Sequence, residues 1–155
     1  MDDLFSRLKS ADEATAVRVE REIELEWSKS GSPSMDLLLQ RGKDALDNNQ
    51  PEVAIEHLTA LIDHDPDFAE GWNARASAWI ATGDLGPAVD DLSHALTLNP
   101  RHFGALASLG LIFEEINKPE KALEAYRAAL ELNPQMADVK DAAKRLEGQL
   151  AGQDI

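Results

Sequence analysis

Three aligned segments decide the fold: AIEHLTALIDHDP at residues 54–66, AVDDLSHALTLNP at 88–100 and ALEAYRAALELNP at 122–134. Each ends in a short acid or amide residue followed by proline, so that Pro66, Pro100 and Pro134 recur with a spacing of 34 residues. A fixed period of this length predicts a stack of similar helical units. One such unit cannot bury its own apolar face, so neighbouring units and terminal caps are needed.

Residues of similar size recur at the same period. Small residues form one column in the first helix of each unit and another in the second: Gly42, Ala76 and Gly110, then Ala54, Ala88 and Ala122. Large residues form a further column: Leu38, Trp72 and Leu106. The small residues let paired helices lie close together, and the large ones fill the gaps that remain.

These columns and their period resemble those of the tetratricopeptide-repeat (TPR) family, in which a helix–turn–helix unit of about 34 residues repeats. The resemblance implies an all-α solenoid. Residues 32–134 would form three repeats, residues 135–150 a capping helix and residues 151–155 a frayed tail. Residues 1–31 would form an N-terminal helical extension.

Proline and glycine predict where the helices begin and end. A proline is expected where a helix begins at six positions: Pro51, Pro66, Pro87, Pro100, Pro119 and Pro134. The missing N–H of proline costs little at that point of a helix. Tight turns are predicted at residues 48–50, 82–84 and 116–118, with Gly83 as a left-handed C-cap.

The N-terminal extension contains two predicted helices, residues 2–9 and about 12–29. Ser10 and Glu13 match a capping-box pattern. Apolar side chains at helical spacing give each helix one apolar stripe. We expect the extension to pack on the first repeat. The alternative is that it docks elsewhere, and limited proteolysis near Gly31 would distinguish the two.

Composition limits the classes of function. The formal net charge is -14, hydrophobic residues make up 43% and cysteine is absent. Such a chain repels phosphate backbones and has no basic patch, so nucleic acid is not an expected partner. The acidity fits either a solvated surface or a preference for a basic partner. No apolar run is long enough for direct membrane insertion.

No residue pattern predicts catalysis, a metal or a cofactor. The four histidines are His57, His64, His94 and His102, and none lies at metal-ligand spacing from another. No serine lies in a nucleophile elbow, and no glycine-rich loop follows a strand. We therefore expect neither an enzyme nor a bound cofactor.

In the TPR family the first helices of the repeats line a concave groove that binds peptides. The resemblance assigns the side chains of this groove by repeat register. The first repeat supplies Asp36, Leu39, Lys43 and Leu46, and the second supplies Glu70, Asn73, Ser77 and Ile80. The third supplies Gly104, Ala107, Leu111 and Glu114, and the capping helix supplies Asp138, Asp141 and Arg145.

The best-understood ligand site of the family is a carboxylate clamp of lysine, asparagine and arginine side chains that grips the C-terminus of a chaperone. The clamp positions here hold Leu39, Lys43, Ala74, Gly104 and Ser108, so only one cation remains. We expect no tight binding of a C-terminal carboxylate. The predicted ligand is instead a basic-amphipathic peptide or protein segment, bound by an adaptor, scaffold or envelope assembly factor. The alternative is a structural protein that self-assembles.

Packing is the preferred interpretation of two conspicuous pairs of side chains. Arg41 and Arg75 occupy a column where leucine is common, and we expect their stems to pack while their charged ends reach water. The alternative is a pair of buried anion sites. Trp72 and Trp79 lie on one helix face, and we expect them in the core rather than in a stacking platform.

The whole chain also resembles a group of short alphaproteobacterial TPR proteins. The residues that carry this resemblance are DLF at 3–5, Trp27 with SGSP at 30–33, DLLL at 36–39, DFAEGWN at 67–73 and PRHFGAL at 100–106. Members of that group often carry a signal peptide and are linked to the cell envelope. The resemblance implies a periplasmic protein whose signal was removed. Otherwise the protein is expected in the cytoplasm.

Overall fold

The computed structural model describes residues 1–153, and the helices of that part of the chain account for all its regular structure. They are α1 (Asp2–Ser10), α2 (Glu13–Trp27), α3 (Pro33–Asp47), α4 (Pro51–His64), α5 (Ala69–Thr82), α6 (Leu85–Leu98), α7 (Phe103–Glu115), α8 (Pro119–Leu132) and α9 (Ala137–Gln153). The predicted all-α fold is confirmed. The chain divides into a central unit, Leu25–Pro100, and a terminal unit, which joins Met1–Glu24 to the chain from Arg101 onward.

In the central unit, α3 packs against α4, α4 against α5 and α5 against α6. The close approach of α3 and α4 depends on Gly42, because a Cβ atom at that position would lie 2.5 Å from the side chain of Leu58. One buried apolar cluster of this unit comprises Leu39, Ala45, Ala54, Leu58, Leu61, Phe68, Ala74 and Ala78. The predicted role of the small-residue column at Gly42 is therefore confirmed.

In the terminal unit, α7 packs against α8, and α8 packs against both α9 and α1. Gly110 of α7 lies against the ring of Tyr126, where a Cβ atom would overlap the aromatic carbons. Tyr126, Phe103 and Leu146 are buried in this unit. Gly110 thus plays the same part between α7 and α8 that Gly42 plays between α3 and α4.

The first 24 residues pack on the third repeat, so the preferred prediction for the extension is wrong for this part and its alternative, docking elsewhere, holds. Residues 25–31 belong to the central unit, with the first repeat. The rings of Phe5 and Phe103 meet edge to face, with their centroids 6.3 Å apart. Arg101 donates to Asp2 at 2.8 Å, and Asn133 donates to Glu20 at 2.9 Å. The apolar stripe of α1 needs a large apolar partner, and the buried ring of Phe103 at the start of α7 provides one.

Proline marks the helix starts less uniformly than predicted. Pro51 and Pro119 are the first residues of α4 and α8, as expected. Pro66, Pro100 and Pro134 instead lie three residues before the next helix. The preceding residue is driven to extended backbone by proline, so these prolines end the previous helix rather than begin the next.

The caps confirm one prediction and correct another. Gly83 has φ 82° and ψ 8°, which is the predicted left-handed C-cap of α5. The predicted capping box at Ser10 does not form, because Ser10 is still within α1 and its hydroxyl donates to the carbonyl of Ser6. Asp12 accepts the backbone N–H of Thr15 at 2.8 Å instead, and hydrogen bonds from Thr15 hold the pKa of Asp12 below its usual value.

The last helix is longer than predicted. α9 continues to Gln153, so residues 151–153 are helical rather than frayed. Asp154 and Ile155, the rest of the predicted tail, lie outside the described residues. Val139, Ala143 and Leu146, three or four residues apart, form the buried apolar side of this helix.

Candidate functional site

The predicted groove residues of the central unit lie on α3 and α5, which form what we term the α3–α5 face. Leu39 is a correction to the predicted set: its side chain is only 2% exposed and belongs to the core. Ser77 is exposed, whereas Leu46 and Ile80 are partly buried. Leu39 therefore packs the repeat and offers no surface to a ligand.

The charged residues of the α3–α5 face are paired with one another. The Lys43 ammonium lies 3.6 Å from the carboxylate of Glu70 and also donates to the hydroxyl of Ser28 at 3.2 Å. The Asn73 amide donates to Glu70 at 3.5 Å, and Glu70 is buried. Lys43 and Glu70 thus neutralise each other within the face.

Asp36, at the start of α3, has a local structural role. Its carboxylate accepts the backbone N–H of Ser30 at 2.8 Å and the Ser30 hydroxyl at 2.6 Å. The hydrogen bond from the Ser30 hydroxyl is the main reason that the pKa of Asp36 is lowered. This carboxylate holds the turn that leads into α3.

The predicted groove residues of the terminal unit lie on α7 and α9, which form the α7–α9 face. Arg145 of α9 donates to Glu114 of α7 at 2.6 Å. The other carboxylate oxygen of Glu114 accepts the Tyr126 hydroxyl at 2.5 Å. Burial, and then the hydrogen bond to Glu114, raise the pKa of Tyr126. One carboxylate therefore joins α7, α8 and α9.

The rest of the α7–α9 face is open. Leu111 lies one turn before Glu114 and is 58% exposed. Asp138 and Asp141 are exposed on α9, two turns and one turn before Arg145, respectively, and no ion pair joins either carboxylate to another residue in the described part of the chain. The face thus combines an accessible apolar side chain with two exposed carboxylates that form no ion pair.

Arg75 contradicts the prediction that its charged end reaches water. Its guanidinium donates twice to the carboxylate of Asp91, which is buried. Arg41, in the same column, is exposed as predicted. The difference follows from the partner, because the residue one repeat before Asp91 is His57. Arg75 and Asp91 each place a charge in a core column of the repeat, and both lie in the second repeat. Taken together, the two charges could have predicted the ion pair from the sequence.

Trp72 also differs from its predicted role in the core. Its ring stacks on that of His94, with centroids 4.1 Å apart and planes 8° apart, and its Nε1 donates to the carbonyl of Pro66 at 2.8 Å. The guanidinium carbon of Arg75 lies 5.3 Å from the indole centroid. These contacts occupy Trp72 within the repeat, so it offers no free stacking platform.

Two kinds of site do not occur within residues 1–153. No group of three or more acidic or histidine side chains there has an arrangement that could hold a metal ion. No helix in the same range combines the length and the apolar character required to cross a bilayer.

The protein belongs to the class of helical-repeat proteins. Its helices form pairs that repeat along the chain, and the first helix of each pair presents a polar face. Family comparison gives the particular family. Two models described as tetratricopeptide repeat match residues 39–93 and residues 104–136. A TPR repeat-containing protein of Rhizobium etli is 33% identical over 153 residues, which are 98% of this chain and 75% of the relative. The chain belongs to the tetratricopeptide-repeat family and is a protein–protein interaction module.

A second relative matches this chain over a smaller share of its own length. Small glutamine-rich tetratricopeptide repeat-containing protein 2 of Saccharomyces cerevisiae is 30% identical over 141 residues, which are 87% of this chain and 40% of that protein. Proteins of this family are typically non-enzymatic adaptors.

Solved structures show the same fold. The first TPR of Spaghetti (RPAP3), bound to the HSP90 peptide SRMEEVD, superposes with a TM-score of 0.72 at 25% identity, over 76% of this chain and 93% of that chain. MamA superposes with a TM-score of 0.72 at 24% identity, over 99% of this chain and 88% of MamA. The likeness to MamA concerns the fold alone.

Proposed function

We propose that this protein is a non-catalytic adaptor that binds a basic, amphipathic segment of another protein on the faces of its first helices. The observation that carries the proposal is the α7–α9 face, where Leu111 is 58% exposed and Asp138 and Asp141 present carboxylates to solvent. An adaptor of this kind needs binding energy and charge selectivity but no reacting group.

Leu111 supplies the apolar part of the site. An amphipathic helix binds by placing apolar side chains, three or four residues apart, against an apolar surface. Burying one leucine side chain contributes about 1.5–3 kcal/mol. Leu111 therefore favours a partner segment that carries at least one large apolar residue.

Asp138 and Asp141 supply the charge selectivity. A lysine or arginine of the ligand gains an ion pair with either carboxylate, and the net charge of -14 attracts a basic segment from a distance. Exposed pairs of this kind contribute about 0.2–1 kcal/mol each and are screened by salt. The expected binding is consequently moderate and sensitive to ionic strength.

The peptide complex of the Spaghetti TPR supports a peptide as the ligand, because a TPR unit of similar fold binds one there. That peptide, SRMEEVD, is acidic at its C-terminus. The ligand expected here has the opposite charge, because Leu39 and Ala74 are buried apolar residues at two of the clamp positions inferred by resemblance. We therefore propose the same mode of recognition with a different ligand chemistry.

Fluorescence anisotropy with a library of labelled basic amphipathic peptides tests the proposal. The variant Asp138→Asn/Asp141→Asn and the variant Leu111→Ser should each weaken the selected peptide at least fivefold. Matched controls are Glu56→Gln/Asp63→Asn, two exposed acids of α4, and Leu98→Ser, an exposed leucine of α6. Equal effects of the site and control variants would reject the α7–α9 face as the binding site.

Two finer expectations from the sequence resemblance remain proposals. Light scattering of the purified chain distinguishes a monomeric adaptor from the self-assembling structural protein. Export to the cell envelope is tested by the native gene upstream of Asp2, which should encode an apolar signal segment.

A further inference from the structure

The two candidate faces share one arrangement of charge. On the α3–α5 face Lys43 pairs with Glu70 of the neighbouring first helix, at 3.6 Å. On the α7–α9 face Arg145 pairs with Glu114 of the neighbouring first helix, at 2.6 Å. In both units, a cation that the repeat register places toward a ligand is already bound to a carboxylate of the same unit.

Each of these carboxylates is held in place by a further donor. Glu70 is buried and accepts the amide of Asn73. Glu114 accepts the hydroxyl of Tyr126, which is itself 1% exposed. Burial limits the rotation of the Glu70 side chain, and the short hydrogen bond from Tyr126 limits that of Glu114. By contrast, the exposed pair of Arg127 and Glu147 has side chains 61% and 49% exposed.

We propose that Glu70 and Glu114 are specificity-determining residues that act as internal counter-ions and exclude acidic C-termini from the two faces. This inference rests on the proposed function, and it narrows the ligand to a segment of the partner that does not include the C-terminal carboxylate. A terminal carboxylate would have to share Lys43 or Arg145 with an anchored carboxylate. Two like charges a few ångströms apart repel, so this unfavourable contact discriminates between partners.

The inference predicts that neutralising either counter-ion creates an affinity for acidic tails. The probe is a labelled heptapeptide that ends in two acidic residues and a free carboxylate, together with the same peptide amidated at its C-terminus. The parent chain should bind neither peptide measurably. Glu70→Gln and Glu114→Gln should each bind the free-acid peptide at least tenfold more tightly than the parent, and more tightly than they bind the amide.

The matched control is Glu147→Gln, which removes the same charge from an exposed ion pair and should gain nothing. A second control is Glu114→Gln combined with Arg145→Gln, in which the released cation is absent and the gain should disappear. Circular dichroism confirms that each variant is folded. If Glu70→Gln unfolds, the Glu114→Gln variant and its double variant decide the matter alone, because a glutamine oxygen still accepts the Tyr126 hydroxyl.

Three outcomes would overturn the inference: tight binding of the free acid by the parent, no gain in folded Glu114→Gln, or an equal gain for the amidated peptide. The basic peptide selected for the proposed function is measured on the same proteins. If the parent binds that peptide but the glutamine variants gain no affinity for the acid, only the inference fails. If the parent binds no peptide of the basic library, the proposed function fails.

Discussion

Arg75 and Asp91 form a bidentate ion pair, in which Nε and Nη2 of the arginine donate to the two carboxylate oxygens at 2.7 and 2.9 Å. Their side chains are 17% and 4% exposed. A further N–H of Arg75 donates to the hydroxyl of Thr59 at 3.3 Å, so one guanidinium joins α4, α5 and α6. Removal of one partner from such a pair leaves a buried charge without compensation.

Replacing Asp91 with leucine should therefore destabilise the protein by about 3 kcal/mol. The double variant Arg75→Met/Asp91→Leu should recover most of that loss, because no unpaired charge remains. Urea denaturation followed by circular dichroism measures both changes in the free energy of unfolding. The control Glu147→Ala breaks the exposed pair with Arg127 and should cost less than about 1 kcal/mol. A loss of that small size for Asp91→Leu would contradict a structural role for the pair.

The repeat itself was predictable because it depends on local size and period. Gly42 and Gly110 stand 68 residues apart, at twice the repeat, and the small residue at each position permits close helix packing whatever the rest of the chain does. Gly83 was predictable for a similar reason, since left-handed backbone at a helix end favours glycine. These features require no knowledge of distant contacts.

The candidate site was less predictable because register assigns a helix face and not its surroundings. Leu39 has the register of a groove residue, yet it is buried in the core of the central unit. Glu70 and Glu114 have the right face but are occupied by Lys43 and Arg145. The docking of Phe5 on Phe103 joins residues 98 positions apart, and no local pattern specifies such a contact.

Alanine at Gly110 and alanine at Gly148 should change the stability of the protein in opposite directions. Only Gly110 lies at the tight contact between α7 and α8. Gly110→Ala places a methyl group against the ring of Tyr126 and should cost about 1–3 kcal/mol. Gly148→Ala, in α9, places its methyl group more than 4 Å from any atom beyond the adjacent helix backbone, and should stabilise the protein by about 0.5–1 kcal/mol, since alanine favours helix. Thermal denaturation of the two variants compares them directly. Stabilisation by Gly110→Ala would refute the close packing.

Because the N-terminal segment docks on the third repeat through Phe5, replacing this residue should lower the stability of the protein strongly. This ring is 8% exposed and lies under the guanidinium of Arg101, 4.5 Å from its centroid. Phe5→Ala should cost about 3 kcal/mol by removing a buried aromatic ring. Val17→Ala, at a residue of α2 that is 56% exposed, should change stability by less than about 0.5 kcal/mol.

Hydrogen exchange gives a local measurement of the same docking. In the Phe5→Ala variant the amide protons of α1 and of the start of α7 should exchange faster than in the parent, while those of α4 should not change. Unchanged exchange at the start of α7 would show that the segment does not pack there.

The protein should lose stability at alkaline pH because the hydroxyl of Tyr126 is buried. It is the only tyrosine of the chain, and burial together with the hydrogen bond to Glu114 raises its pKa in the folded state. In the unfolded chain the hydroxyl has the usual pKa of about 10. Above that pH the folded state binds more protons than the unfolded state, so the free energy of unfolding should fall as pH rises, by at most about 1.4 kcal/mol per pH unit from this group. Below about pH 10 the full stabilising contribution of this protonated hydroxyl is present.

Ultraviolet absorbance follows the ionisation of this single side chain, and urea denaturation from pH 8 to 11 follows the free energy of unfolding. Tyr126→Phe should lose the part of the alkaline slope that this hydroxyl causes, while lysines contribute equally to both proteins. Tyrosinate that appears near pH 10 in the folded chain, without loss of structure, would contradict the burial of the hydroxyl against Glu114.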